Sequence, residues 1–175
     1  MMKFGSPALA TRRRTILKWS LLVVIAAVAL AIDLWSKAWA EQNLVLGESE
    51  KILPFLYLER TANTGVAFGL LGGKGALIIV ANVVAIAVVV LYVTIERRFL
   101  LAAIAGGMII GGSLGNLYQR IAADGRVTDF LKFPHWPNFN MADVFVDVGI
   151  AIIVLGLIVE TVRVWKAGSQ KPASS

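Results

Sequence analysis

Four stretches of about 20 apolar residues constrain the fold of this chain more than any other feature. They cover residues 16–35, 76–95, 99–118 and 143–162 of a 175-residue sequence. A helix of about 20 residues crosses the hydrocarbon core of a bilayer and satisfies all of its own backbone polar groups there. The sequence therefore predicts an all-α membrane protein with four transmembrane helices. We expect a single integral membrane domain over residues 1–175, with a disordered tail at residues 169–175.

The composition agrees with a membrane protein and excludes several kinds of site. Hydrophobic residues make up 58% of the chain and charged residues 16%, whereas soluble domains carry about a quarter charged residues. The chain has no cysteine, which excludes disulfides, iron–sulfur clusters, thiolate zinc sites and cysteine nucleophiles. Its one histidine, His135, precedes Trp136 between two prolines, a pattern typical of a loop at the membrane interface. We therefore expect neither a metal nor a cofactor.

The distribution of positive charge predicts how the chain is oriented in the membrane. Most Lys and Arg residues fall in the N-terminal segment, in the short turn between the second and third stretches, and in the C-terminal segment. Because short cytoplasmic segments are enriched in Lys and Arg, both termini should be cytoplasmic. The two longer connections, residues 36–75 and 119–142, should then face outside and carry the chemistry. The net charge of +6 reflects this orientation, and we expect no binding to nucleic acid.

Two acidic residues, Asp129 and Asp143, border apolar segments, where charged groups are costly and are functional candidates. Two carboxylates in one poorly solvated site cannot both ionise, so the pair would supply an acid and a base. This is the chemistry of an aspartic protease, which activates a water for attack on a peptide carbonyl. Structural alternatives are that Asp143 caps the fourth helix and that Asp129 pairs with Arg120 or Arg126. Asp147, one helical turn after Asp143, is a rival partner for it or a residue that hydrogen-bonds to a neighbouring helix.

A run of glycines in the third stretch predicts close helix packing. Gly107, Gly111 and Gly115 recur every four residues, so they share one face of a helix. Asn116 and Arg120 continue this face towards the outer surface, where an arginine can hold a carboxylate or a substrate carbonyl.

Four further motifs follow one another in the chain between about residues 33 and 149. They are Asn63-Thr64-Gly65-Val66-Ala67-Phe68-Gly69, Gly111-Gly112-Ser113-Leu114-Gly115-Asn116-Leu117-Tyr118-Gln119-Arg120, Val127-Thr128-Asp129-Phe130 and Phe139-Asn140-Met141-Ala142-Asp143. In this order they closely resemble the motifs of the bacterial lipoprotein signal peptidases, also called signal peptidase II. The resemblance implies an intramembrane aspartic endopeptidase of the bacterial inner membrane. Such an enzyme cleaves diacylglyceryl-modified prolipoproteins just before the lipidated cysteine.

The resemblance also implies roles for individual residues. Asp129 and Asp143 match the catalytic dyad, which lies near the outer face, while Asp33 and Lys37 match a structural polar pair. The positions that line the site and hold the substrate or the dyad are Asn63, Asn116, Arg120 and Asn140. Residues 53–68, with aromatic and branched side chains typical of strands, match a small extracytoplasmic β-sheet cradle. Residues 69–75 match an interfacial element over the site. The expected partners are the lipoprotein precursors and membrane lipid, and the expected state is a monomer.

Two residues depart from the family pattern. Gln119 stands where the family usually has an acid, which would weaken any network that uses this acid to orient Arg120. Asp147 stands where an apolar or small residue is more usual, and our hypothesis is that it compensates for the charge lost at position 119.

Three other functions are open at this point. A catalytically impaired homologue would bind lipoprotein precursors without cutting them. This alternative is considered because Gln119 replaces the usual acid. Ser36 and Lys37 would serve a Ser–Lys protease, although adjacent side chains diverge on a helix. A small transporter or assembly factor would also place acids in a bundle, but it does not explain the motifs in the outer connections.

Overall fold

The computed structural model describes residues 7–64 and 75–169, and four long helices form most of this part of the chain. They are α1 (Pro7–Asn43), α2 (Gly75–Ile95), α3 (Phe99–Ala122) and α4 (Met141–Ser169). All four are long and apolar enough to cross a membrane. The predicted four-helix membrane fold is therefore confirmed.

All four helices are longer than the apolar stretches that predicted them, α2 by the single residue Gly75. Because α1 ends at Asn43, the first outer connection begins at residue 44 rather than at residue 36. α3 continues to Ala122, and α4 begins at Met141. Of the tail predicted to be disordered, the structure describes only Ser169, which is the last residue of α4. The predicted interfacial element at residues 69–75 lies outside the described residues except for Gly75.

Small residues allow α3 to lie at the centre of the bundle. α3 is buried over most of its length, whereas the other three helices expose most of their apolar side chains, as expected for surfaces in contact with lipid. A Cβ atom on Gly111 would lie 2.5 Å from the carbonyl oxygen of Ala26 in α1, and one on Gly112 would lie 2.5 Å from the carbonyl oxygen of Ala142 in α4. The glycines therefore permit backbone contact on two sides of α3.

A three-stranded antiparallel sheet lies beside the ends of these helices. Its strands are β1 (Ser49–Leu53), β2 (Leu56–Asn63) and β3 (Val127–Lys132), in the order β1-β2-β3. β2 lies within residues 53–68, where strands were predicted, whereas β1 begins before them at Ser49. Residues 65–68 lie outside the described part of the chain. The third strand, which lies in the other outer connection, was not predicted. Its pairing with β2 brings the two connections together.

The segment that leads into α4 also pairs with β3. The backbone N–H of Phe139 donates to the carbonyl of Leu131 at 2.9 Å, and the carbonyl of Phe139 accepts from the N–H groups of Phe130 and Leu131. This pairing places the first turn of α4 next to the middle of β3. Two segments that are about ten residues apart in the chain are thereby fixed side by side.

Candidate active site

Asp129 lies in the middle of β3, and its side chain is almost fully buried, with 2% exposed. It pairs with Thr61 of β2, so Asn63, two residues further on, projects from the same face of the sheet. Nδ2 of Asn63 donates to Oδ2 of Asp129 at 2.7 Å, and Nδ2 of Asn140 donates to Oδ1 at 2.6 Å. Both carboxyl oxygens of Asp129 are therefore held by amide groups.

Asp143 lies in the first turn of α4, but it is not the cap of this helix. α4 begins at Met141, so Asn140 is the N-cap and Asp143 is the third helical residue. The backbone N–H of Asp143 donates to Oδ1 of Asn140 at 3.2 Å, and the backbone N–H of Asn140 donates to Oδ2 of Asp143 at 3.1 Å. This reciprocal arrangement is a capping box. The other carboxyl oxygen of Asp143, Oδ1, accepts a hydrogen bond from Nδ2 of Asn116 at 2.9 Å.

Asn140 therefore contacts both acids, through its side chain to Asp129 and through its backbone to Asp143. Its Nδ2 also donates to Oδ1 of Asn116 at 3.1 Å. The structure thus brings together five of the residues that the sequence singled out for the site, from β2, α3, β3 and the start of α4. They are Asn63, Asn116, Asp129, Asn140 and Asp143.

Asp33 and Lys37 form a buried ion pair on α1, with Nζ of Lys37 2.7 Å from Oδ2 of Asp33. Nζ of Lys37 also donates to Oδ1 of Asn116 at 2.7 Å, while Oδ1 of Asp33 accepts from the backbone N–H of Ala142 at 2.8 Å. The pair therefore connects α1 to α3 and to the N-terminus of α4. Because Asn116 in turn hydrogen-bonds to Asp143, the ion pair is connected to the site through Asn116.

Arg120 lies one helical turn beyond Asn116 on α3, and its Nε is buried without a hydrogen-bond partner in the described part of the chain. It lines a cavity of about 330 Å³ between α2, α3 and α4, to which Asp143 and Asn82 also contribute. Neither Arg120 nor Arg126 forms an ion pair with Asp129 within the described residues, so this alternative is wrong. Among the described residues, Arg120 therefore lines the cavity without a carboxylate partner.

Burial dominates the electrostatics of Asp129 and raises its pKa to about 6. The hydrogen bond from Asn63 opposes this shift, the negative charge of Asp143 adds to it, and Asn140 and Lys37 lower it. A carboxyl group with such a pKa can hold a proton near neutral pH and can act as a general acid.

Within the described residues, the side chain of Gln119 makes no hydrogen bond to Arg120. Its side chain instead contacts Glu41 of α1 and Thr128 of β3. Glu41 and Thr128 were missed as candidates. The signal for Glu41 was its spacing, because Asp33, Lys37 and Glu41 recur every four residues and share a face of α1.

Asp147 is exposed and makes no hydrogen bond or ion pair within the parts of the chain that are described. It lines an apolar groove of about 670 Å³, together with Asp143, Trp136 and Phe139. It is therefore not hydrogen-bonded to a neighbouring helix, and Glu41 rather than Asp147 is the carboxylate that contacts Gln119.

The other predicted groups have structural roles. The hydroxyl of Ser36 donates to the carbonyl of Asp33 at 2.9 Å and is not bonded to Lys37, which argues against a Ser–Lys protease. His135 and Trp136 are exposed in the loop after β3. Within residues 7–64 and 75–169, no group of three or more His, Asp or Glu side chains is suited to hold a metal ion.

Known proteins are similar to this chain in sequence and in fold. The family model described as Signal peptidase (SPase) II matches residues 25–159. A lipoprotein signal peptidase of Serratia proteamaculans is 41% identical over 150 residues, which cover 79% of this chain and 85% of that protein. A lipoprotein signal peptidase of Mesorhizobium japonicum is 37% identical over 78% of this chain and 84% of its own length. One of Symbiobacterium thermophilum is also 37% identical, over 79% of this chain and 94% of its own length.

Two solved structures, both described as bacterial membrane enzymes, resemble the chain. One superposes with a TM-score of 0.70 at 26% identity and covers 78% of this chain and 91% of its own. The other has a TM-score of 0.71 at 24% identity, covers 88% and 93%, and supports the fold alone.

Proposed function

The chain belongs to the signal peptidase II family of aspartic-type endopeptidases, and from this premise we propose that it cleaves diacylglyceryl-modified prolipoproteins just before the lipidated cysteine. The observation that carries the proposal is the position of Asn140, which hydrogen-bonds to both Asp129 and Asp143. Two acids held by one residue beside a cavity can act on one water molecule and one peptide bond.

The two acids have different roles in this proposal. Asp143 lies in the first turn of α4, where the helix dipole interacts favourably with a carboxylate, and it lines the cavity. It takes a proton from water, whose oxygen attacks the carbonyl carbon of the scissile bond. Asp129, which is buried and holds a proton, donates it to the departing amine nitrogen. The C–N bond breaks. The proton that Asp143 gained is then transferred to Asp129, which returns both acids to their starting states.

The surrounding polar groups hold the substrate and the dyad. The guanidinium of Arg120 lines the cavity and is suited to bind a carbonyl oxygen of the signal peptide. The amides of Asn63, Asn116 and Asn140 fix the carboxyl groups, and the ion pair of Asp33 with Lys37 supports them. No cofactor takes part in this mechanism.

The proposal also places the protein in the bacterial inner membrane. Both termini would be cytoplasmic, so the sheet and the dyad would lie at the outer face, where lipidated precursors present their cleavage site. Membrane lipid would cover the exposed apolar faces of the helices. One chain supplies every residue named in the site, and we expect a monomer to be active.

A gel-shift assay on a diacylglyceryl-modified prolipoprotein tests the function. We expect the purified protein to cleave this substrate and the unmodified precursor to remain intact. Asp129→Asn and Asp143→Asn should each lower kcat by at least about a thousandfold, because catalytic residues that act as a unit fail together.

Asp147→Asn is the matched control, since it makes the same chemical change one turn away from Asp143 at an exposed position. It should keep at least about half of the activity, because the side chain of Asp147 is exposed and makes no hydrogen bond within the described residues, and substitutions at such positions have small effects. An Asp147→Asn variant without activity, beside an active Asp129→Asn, would show that the dyad is assigned incorrectly. A wild-type protein that binds the precursor without cutting it would favour the impaired homologue.

A further inference from the structure

We propose that Glu41 and Gln119 are positioning residues that hold β3, and with it Asp129, in the catalytic arrangement. The inference rests on the proposed function, because it concerns the placement of a catalytic acid. It arises from a cluster of three side chains on three elements: Glu41 on α1, Gln119 on α3 and Thr128 on β3.

Hydrogen bonds connect these three side chains to one another. Nε2 of Gln119 donates to Oε1 of Glu41 at 2.7 Å and to Oγ1 of Thr128 at 3.0 Å. Oγ1 of Thr128 donates to the same oxygen of Glu41 at 2.5 Å. In addition, Oε1 of Gln119 accepts from the backbone N–H of Thr128 at 2.8 Å. Gln119 therefore holds both the side chain and the backbone of Thr128.

The cluster acts on the residue that precedes Asp129. Successive residues of a strand project to opposite faces, so Thr128 faces the cluster while Asp129 faces Asn63 and Asn140. A shift of β3 towards or away from α1 would change the hydrogen bonds on both faces together. β3 is thus held on one side by the cluster and on the other by the two asparagines.

The cluster requires one carboxylate and one amide. Two carboxylates at positions 41 and 119 would bring two negatively charged oxygens to about the distance that now separates a donor from an acceptor, and like charges repel. Two amides would lose the charged acceptor that now serves both Thr128 and Gln119. The same contacts can form with the carboxylate at position 119 and the amide at position 41. The hydrogen bonds among the three side chains then run in the opposite direction, and the bond from the backbone N–H of Thr128 to position 119 is kept.

A charge exchange between the two positions tests the proposal. We expect Gln119→Glu to lower kcat by about tenfold or more and Glu41→Gln to lower it several-fold, as contacting residues in one network show couplings of this size. KM should stay within about twofold, because neither side chain lines the cavity that holds Arg120. The double variant Glu41→Gln/Gln119→Glu should recover kcat to within about threefold of wild type.

Two exposed neighbours provide matched controls. Gln42→Glu makes the same amide-to-carboxylate change one residue from Glu41, and Glu48→Gln makes the reverse change; both side chains are exposed and lack hydrogen bonds within the described residues. Neither control should alter kcat. The melting temperatures of all variants should stay close to that of wild type, so that a lower kcat reflects placement of Asp129 and not loss of folded protein.

Specific outcomes would overturn the inference. A double variant that is no more active than the poorer single variant would exclude an exchangeable pair. If the melting temperature falls in parallel with kcat across the variants, the cluster has a purely structural role. The failure of the proposed function is distinguishable, because it would appear as absent cleavage by wild type or as cleavage by Asp129→Asn. Either result removes the basis for a positioning role as well.

Discussion

Asp129 and Asp143 differ in how the surrounding chain holds them. Asp129 lies on a strand and is almost fully buried, and within the described residues the hydrogen bonds that it accepts come from side-chain amides. Asp143 lies on a helix, is partly exposed at the cavity and accepts a hydrogen bond from the backbone N–H of Asn140. This difference supports our assignment of the proton to Asp129 and of the water to Asp143.

The raised pKa of Asp129 predicts how activity and stability depend on pH. We expect kcat/KM to fall as the pH rises through about 6, because Asp129 then loses the proton that it donates. The charged groups that act on this titration include Asp143, which raises the pKa, and Lys37, which lowers it. A pH profile of kcat/KM checks this, and a rate that rises steadily through this range would contradict it.

The same pKa has a consequence for folding. The folded-state pKa of Asp129, about 6, lies above its ordinary value of 3.8, so the folded state binds the proton more tightly than the unfolded state. The contribution of Asp129 to stability is therefore fully present below pH 3.8 and is lost as the pH rises to about 6. The melting temperature of wild type relative to Asp129→Asn should fall between about pH 4 and pH 6 and level off above that. The melting temperature of Glu48→Gln relative to wild type should not change over this range.

At the scale of elements, α3 connects the packing of the bundle to the site. The glycines that allow α1 and α4 to approach it are followed directly by Asn116, Gln119 and Arg120. Asp33 of α1 is buried against α3, and its carboxylate occupies the space that a Cβ atom on Gly115 would need. The geometry of the site therefore depends on distances between backbones as well as on its polar residues.

Gly115 is the position where this dependence is most direct. A Cβ atom there would overlap the carboxylate of Asp33, which accepts the N–H of Ala142 and binds Lys37. We expect Gly115→Ala to lower stability by about 1–3 kcal/mol, as overpacking does in cores, and to reduce cleavage strongly. Thermal unfolding and the cleavage assay check both effects.

Leu114→Ala is the control for this change, because Leu114 precedes Gly115 on the same helix and its side chain is exposed. It should leave both the melting temperature and the rate near those of wild type. A Gly115→Ala protein with unchanged stability and cleavage would show that Asp33 can move without harm to the start of α4.

At the scale of the whole molecule, orientation decides which aqueous compartment the dyad faces. The sheet and the dyad lie at one end of the bundle, whereas the turn between α2 and α3, with Arg97 and Arg98, lies at the other. The proposed orientation places the basic end in the cytoplasm.

The absence of cysteine makes this orientation directly measurable. Single variants Glu50→Cys in β1 and Arg97→Cys in the turn after α2 put one thiol at each end, both at exposed positions. An impermeant thiol reagent should label Glu50→Cys in intact spheroplasts and Arg97→Cys only after lysis. The reverse pattern would place the dyad on the cytoplasmic side and would exclude the proposed access of lipidated precursors.

The sequence by itself determined the class of fold and the identity of the dyad candidates. Long apolar stretches leave a helix as the available structure in lipid, so the four spans follow from local composition alone. Asp129 and Asp143 were candidates because charged residues are costly beside apolar segments. Asn63, Asn116 and Asn140 were assigned to the same site by the resemblance to the signal peptidase II motifs.

Only the tertiary structure decided how these residues hold one another. The pairing of β3 with β2 and with Phe139, the capping of α4 by Asp33, and the contact of Gln119 with Glu41 all join residues that are distant in the chain or on different elements. Such contacts depend on how far apart two backbones come to lie. Helix periodicity cannot give that distance, because it describes each element alone.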